Sequence, residues 1–145
     1  MTNERDEVHP FEGRVDSPYW DGLGAGELRI QRCQRCERWS WPADWRCPAC
    51  GGYEFRWERV EPVGRVYSWI RSHLPFVAAY ADLVPYVNVL VELPQAGNAR
   101  IMGLLTGDED GIRIGAPLTG EFRPASPRTA DLPVLTWSID ARAAA

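Results

Sequence analysis

Lysine is missing from this sequence: all sixteen basic residues among the 145 are arginine. Every side-chain cation apart from histidine is therefore a planar guanidinium, the better group for bidentate contacts to carboxylate or phosphate. A codon bias, visible also in the abundance of Ala, Gly and Pro, is a sufficient cause. Histidine is nearly missing too, with His9 and His73 alone. No serine, cysteine or carboxylate motif marks a catalytic partner for His73, which reads more simply as a hydrogen-bonded loop residue. No apolar run approaches the roughly 18 residues that a membrane-crossing helix requires. The opening MTNERDEVHPFEGRVDSP is acidic and polar, without the apolar stretch of a secretory signal. The expectation is a cytoplasmic protein with no membrane partner. No internal repeat and no long helical period occur.

What is present is the balance of a globular domain, with 45% hydrophobic and 25% charged residues. The length suits one domain, or one small domain with an appended module. Charge divides the chain into three stretches. Residues 1–26 carry two arginines against six acids, residues 27–59 seven against five, and residues 60–145 seven against nine.

The first stretch is expected to be a tail followed by a short helix. Ser17 before Pro18 reads as a helix start with the hydroxyl as cap, Gly24 and Gly26 as its stop, and Tyr19, Trp20 and Leu23 share one side. In the second stretch, Leu28 and Ile30 alternate with Glu27, Arg29 and Gln31, and Tyr53, Phe55 and Trp57 alternate with Glu54, Arg56 and Glu58. Two strands therefore flank whatever lies between. The third stretch reads as strands separated by turns: GRVYSWIRSHL, with Val66, Ser68 and Ile70 on one face; PYVNVLVEL, with Val87, Val89, Val91 and Leu93 on one face; ARIMGLLTG, with Ile101 and Leu105 as core; LTGEFRPA; and LPVLTWSI. Five strands in about 80 residues are too few for an immunoglobulin-like sandwich and suit a small closed barrel of the OB type.

Between the strands of the second stretch lie all four cysteines, Cys33, Cys36, Cys47 and Cys50, as two Cys-x-x-Cys pairs. Two residues between cysteines turn both sulfurs toward one point, and two such knuckles make a tetrahedral thiolate site. In a reducing compartment such pairs hold metal more often than disulfides. Iron in the manner of rubredoxin is the nearest alternative, but the spacing between knuckles is short for it and CQRCE lacks the following glycine. Redox dithiol chemistry usually uses one exposed pair at a helix start. One structural zinc with four sulfur ligands, and no position for water or substrate, is the reading. The ribbon, with 33 residues, is too small for a core of its own and is held by its metal. Trp39, Trp41, Trp45 and Trp57 crowd the same stretch; they either pack the ribbon onto the barrel or face a partner.

The succession YWDGLGAGEL, CQRC, CPACGG, VGRVYSW, PYVNVLVEL, MGLLTG and IGAPLTGEFRP resembles the DUF35 family over about residues 16 to 140. The resemblance implies a mainly β protein with an N-terminal helix, a rubredoxin-like zinc ribbon and a five-stranded OB-fold barrel. It also implies a non-catalytic accessory subunit. Members associate with thiolase-like enzymes, among them thiolases coupled to hydroxymethylglutaryl-CoA synthase, acyltransferases and steroid side-chain aldolases, and help to form or cover the acyl-CoA channel.

Independently of that resemblance, the connection 74–85 is unusually apolar, with Leu74, Phe76, Val77, Tyr80, Leu83 and Val84. Such a loop folds back over the barrel end or is buried by another chain. Phe76 and Tyr80, with Trp39 and Trp41 of the ribbon, are the candidates for contact with a partner or an acyl chain. Arg65, Arg71 and Arg123 are candidates for CoA phosphates. The acidic run GDEDG at 107–111 lacks calcium-loop spacing and reads as a solvated turn. A single-stranded nucleic-acid module on the same fold, with Tyr67, Trp69, Arg71 and Tyr86 as platform, is opposed by the excess of acid in the barrel stretch and a pI near 5.2. An independent acyl-CoA enzyme is opposed by the lack of a nucleophile and base.

Overall fold

The structure is a computed structural model that describes residues 13–140. The expected tail lies, as far as residue 12, outside the described residues.

Helix α1 (Ser17–Gly24) has Pro18 in its first turn, where a missing N–H costs nothing, and buries Tyr19 and Leu23. The cap differs from expectation. Asp16 takes that position without a side-chain cap hydrogen bond, and the Ser17 hydroxyl donates to the Arg14 carbonyl, 2.8 Å away. Ser17 is already helical, so its side chain turns back on the preceding turn. Among the described residues no helix is long and apolar enough to cross a membrane.

Strands β1 (Leu28–Cys33), β2 (Trp39–Ser40) and β3 (Phe55–Val60) form an antiparallel sheet in the order β2-β1-β3. Being central, β1 is paired along both edges, and it buries Leu28, Ile30, Gln31 and Cys33 while Arg29 and Arg32 stay half-buried. This corrects the simple alternation, in which Gln31 belonged to the polar face. The amide is tolerated inside because both ends are paired: its Nε2 donates to the Asp44 carbonyl and its Oε1 accepts from the Asp44 N–H, each at 2.9 Å. That clamp holds the loop between the two cysteine pairs. Tyr53, expected in the third strand, lies before it and is exposed.

The second sheet contains β4 (Val63–Ser72), β5 (Tyr86–Leu93), β6 (Ala99–Leu104), β7 (Pro117–Arg123) and β8 (Val134–Ile139), in the order β6-β5-β4-β7-β8. It closes into a barrel through a parallel bridge between Leu105 and Trp137. The Thr106 N–H donates to the Trp137 carbonyl, 2.7 Å away, and the Leu105 N–H to Val87. In β5 the alternation holds throughout: Val87, Val89, Val91 and Leu93 are buried and the intervening residues are not. In β4 it fails. A bulge between Val66 and Ser68 shifts the register, and beyond it Ser68 and Ile70 are exposed, so both faces of the outer half lie open.

Helix, ribbon sheet and barrel share one core, in which Tyr19 and Leu23, Leu28, Ile30 and Val60, and the barrel valines belong to a single cluster. Trp39 packs onto the turn after β5: a Cβ at Gly97 would come within 2.8 Å of its ring. The ribbon is thus seated on the barrel by apolar burial.

Candidate functional site

The four sulfurs converge because each cysteine pair closes the same backbone loop. The Glu37 N–H donates to the Cys33 carbonyl and the Cys33 N–H to Arg38; in the second pair the Gly51 N–H donates to Cys47 and the Cys47 N–H to Gly52. Both loops need a left-handed residue after the second cysteine. Gly51 supplies it at φ 74°, and Glu37 adopts φ 64° in the pair that lacks glycine. Glu37 is held there by its carboxylate, which lies 3.2 Å from Arg56 and 3.7 Å from Arg32. The same arginines flank Glu58 and hold its carboxyl below the usual carboxylate range, through a hydrogen bond from Arg56 first and then one from Arg32.

All four Sγ atoms lie within 4.8 Å of one another, with Cys33–Cys50 at 3.6 Å and Cys36–Cys47 at 3.5 Å. A tetrahedron with zinc–sulfur bonds of about 2.3 Å has edges of about 3.8 Å, so the cage fits that ion. Without a cation the thiols divide. Cys33 falls to about 6, chiefly through the Cys36 backbone N–H, while Cys36 is pushed up to about 11, where the Arg38 N–H favours the thiolate but burial and the other sulfurs outweigh it. Four thiolates in one small volume require a divalent cation. The centre is the site of one structural zinc, with Cys33, Cys36, Cys47 and Cys50 as the four sulfurs placed to hold it.

The other candidate residues lie elsewhere. Trp39 and Trp41 are half-buried: Arg32 lies 4.8 Å above the Trp39 ring, and Trp41 meets the Tyr19 ring at 4.3 Å. Trp45 is the exposed tryptophan of the ribbon. In the connection 74–85, a single 3-10 turn spans Ala78–Tyr80. Phe76 is 80% exposed, with Leu74 and Val77 exposed beside it. Tyr80 is half-buried, in edge contact with Tyr86, and Asp82 ties the loop to Arg128 at 2.7 Å. Arg65, Arg71 and Arg123 are each paired with an acid, namely Glu92, Glu109 and Glu121. Exposed His73 stands just after β4. In the acidic run, the Asp110 N–H donates to the Asp108 carboxylate, as in a turn. Two contributors had no sequence signal: Gln31, hidden by its place in an alternating pattern, and Ile70, exposed by the bulge.

Comparison with known proteins places this geometry. Residues 20–56 match the family model of the ChsH2 rubredoxin-like zinc ribbon domain, and residues 57–123 that of the ChsH2 C-terminal OB-fold domain. The chain is 35% identical over 127 residues to a probable enoyl-CoA hydratase alpha subunit of Thermomonospora curvata, covering 86% of this chain and 38% of the relative. It is 30% identical over 118 residues to the 3-oxo-4,17-pregnadiene-20-carboxyl-CoA hydratase alpha subunit of Mycobacterium tuberculosis, covering 79% of this chain and 36% of the relative. The chain thus spans little more than a third of these relatives' length. In three dimensions it is similar to a chain of the Ltp2-ChsH2(DUF35) aldolase, with TM-score 0.77, 30% identity, and coverage of 90% of this chain and 98% of that one. The fold is shared with a DUF35 protein of Sulfolobus solfataricus, at TM-score 0.60 and 16% identity over 91% of this chain and 90% of that one. The chain belongs to the DUF35 family of ChsH2-type zinc-ribbon and OB-fold proteins.

Proposed function

We propose that this chain is a non-catalytic accessory subunit that docks on a thiolase-like enzyme and helps to form its acyl-CoA site. The observation that carries the reading is its likeness, over 98% of that chain, to a component of the Ltp2-ChsH2(DUF35) aldolase. The names of both curated relatives point to CoA thioesters, and one to a steroid side chain. The partner is a thiolase, an acyltransferase or a steroid side-chain aldolase, and the reacting groups belong to it. On this side the contact is assigned to the connection 74–85, through Phe76 and Tyr80, and separately to the half-exposed edges of Trp39 and Trp41 on the ribbon.

Exposed Phe76 is a liability in a lone chain, whereas covering it converts apolar area into binding energy of roughly 1.5–3 kcal/mol per aromatic side chain. The double change Phe76→Ser, Tyr80→Ser is expected to weaken the complex by about tenfold or more, since about 1.4 kcal/mol is a factor of ten, while zinc content stays the same. Titration calorimetry with the partner checks this. Normal binding by the double variant removes the connection from the interface. Turnover of acyl-CoA by the purified chain alone, at an enzyme-like rate, removes the accessory reading.

One observation favours a nucleic-acid module: Tyr67 and Trp69 are exposed side chains of an OB barrel, and Arg100 stacks 3.7 Å over Tyr67. The acidic excess of residues 60–145 opposes it, because phosphate contacts dominate such affinity. Negligible binding of single-stranded DNA or RNA at physiological salt is expected in a fluorescence titration. Micromolar binding that falls steeply with added salt would favour the module instead.

A further inference from the structure

The outer half of β4 has an open edge. From Val63 to Arg65 the strand pairs with β7, and at Val66 its place is taken by Ala116, whose carbonyl accepts from the Val66 N–H, and by Gly115, whose N–H donates to the Val66 carbonyl. Beyond Val66 nothing among the described residues replaces it. Among the described residues, residues 68–72 have β5 as their one ladder neighbour, from Ser68 opposite Leu90 to Ser72 opposite Tyr86. Among the described residues no other backbone hydrogen bond reaches residues 67–72. The crossing segment 106–116 returns to this stretch through side chains, where Arg71 meets Glu109 at 3.1 Å with both partners exposed. That contact is weak enough to be displaced.

Strands send alternate N–H and C=O groups to either side, so this edge presents about three unpaired sets. Proteins normally blunt such an edge with charge, proline or cover. Here Tyr67, Trp69 and Ile70 stand on it, Ile70 being 64% exposed, and the chain runs on into exposed Leu74, Phe76 and Val77. Arg71 is the one charged residue of the stretch, already engaged by Glu109. One further arginine stands by the edge without an acidic partner among the described residues: Arg113, two residues before Gly115, whereas Arg100 lies on β6 beyond β5 and reaches across the sheet face to stack on Tyr67.

We infer that the partner enzyme docks by adding a strand here, an extended apolar segment carrying a carboxylate that pairs with Arg113. The inference rests on the accessory-subunit reading and adds to it the mode of contact. An open backbone edge recognises an extended backbone, not a helix, and exposed apolar side chains beside it select apolar neighbours. Arg113 selects a segment with a carboxylate at that point and disfavours a second copy of this chain, which would bring its own arginine to the same edge.

The experiment uses the full chain, tagged and expressed in its own cells, and the thiolase-like subunit retained with it. Residue-resolved hydrogen exchange is measured on the chain alone and in the complex. In the lone chain, alternate amides of residues 67–72 exchange fast; in the complex those amides slow by about tenfold or more. Ile70→Asp, an exposed position, weakens the complex by about tenfold or more with zinc content and melting temperature unchanged. A complex that leaves these amides fast and tolerates Ile70→Asp overturns the strand addition and leaves the accessory reading standing. Retention of no thiolase-like subunit overturns both. A dimer of the lone chain that protects the same amides assigns the edge to a second copy and overturns the inference.

Discussion

Cys47→Ser leaves the chain without zinc and loosens the ribbon. Structural zinc contributes about 10–16 kcal/mol in such sites, as much as the entire stability of an ordinary domain, about 5–15 kcal/mol. Serine removes one of four thiolates from a closed cage whose sulfurs stand 3.5–3.6 Å apart in pairs, and nothing else in the ribbon substitutes for it. The barrel persists, because Val87, Val89, Val91, Leu93 and Trp137 form an apolar interior of their own. It does not persist unchanged: Leu28, Ile30 and Val60 of the ribbon sheet belong to the same core, so the barrel melts at lower temperature once they loosen. Elemental analysis is expected to give one zinc per wild-type chain and none in the variant. Circular dichroism is expected to retain the barrel signal at room temperature. A strong chelator reproduces the variant. Iron in the wild-type protein, or a folded ribbon without metal, contradicts the assignment.

The metal centre was legible in sequence because its chemistry is local. Two residues between cysteines determine the direction of two sulfurs, and no distant contact is needed to see it. The same holds for β5, whose strict alternation from Tyr86 to Leu93 records one buried and one open face. Legibility ended where the environment of a residue is set by strands far away in sequence. Gln31 reads as polar surface until β2 and β3 cover β1 on both sides and Asp44 supplies its two hydrogen bonds. Ile70 reads as core until a bulge after Val66 turns it out. Ser17 reads as a cap until the turn at Arg14 claims its hydroxyl. The partner face belongs to the same class, since an open strand edge is defined by the neighbour that stops short. Nothing in Tyr67-Ser68-Trp69-Ile70 announces that β7 pairs no further than Arg65.

The barrel that presents this edge closes at one tryptophan, and the closure makes a second large prediction. Trp137 is fully buried beside the parallel bridge to Leu105, and its indole Nε1 has no hydrogen-bond partner among the described residues. Gly103 lies against it: a Cβ there would approach the indole Cδ1 to 2.6 Å and Nε1 to 2.7 Å. Trp137→Ala is expected to cost roughly 3–5 kcal/mol through lost burial and the cavity left behind. Trp137→Phe costs less than the lost volume implies, because it also removes a buried unpaired donor, whose burial is worth about 1–3 kcal/mol. Gly103→Ala in the wild-type background destabilises, since the indole cannot retreat within a closed barrel. In the Trp137→Phe background the atoms that the new methyl meets are replaced by a smaller ring, so the same change costs less. The Leu135 carbonyl, 3.1 Å from that methyl, keeps the rescue incomplete. Denaturant titration of the two single variants and the double variant measures the coupling, which is expected to be about 0.5–3 kcal/mol in favour of the double variant. Strict additivity would show that the methyl is accommodated by backbone movement instead. The indole would then not be what obliges position 103 to be glycine.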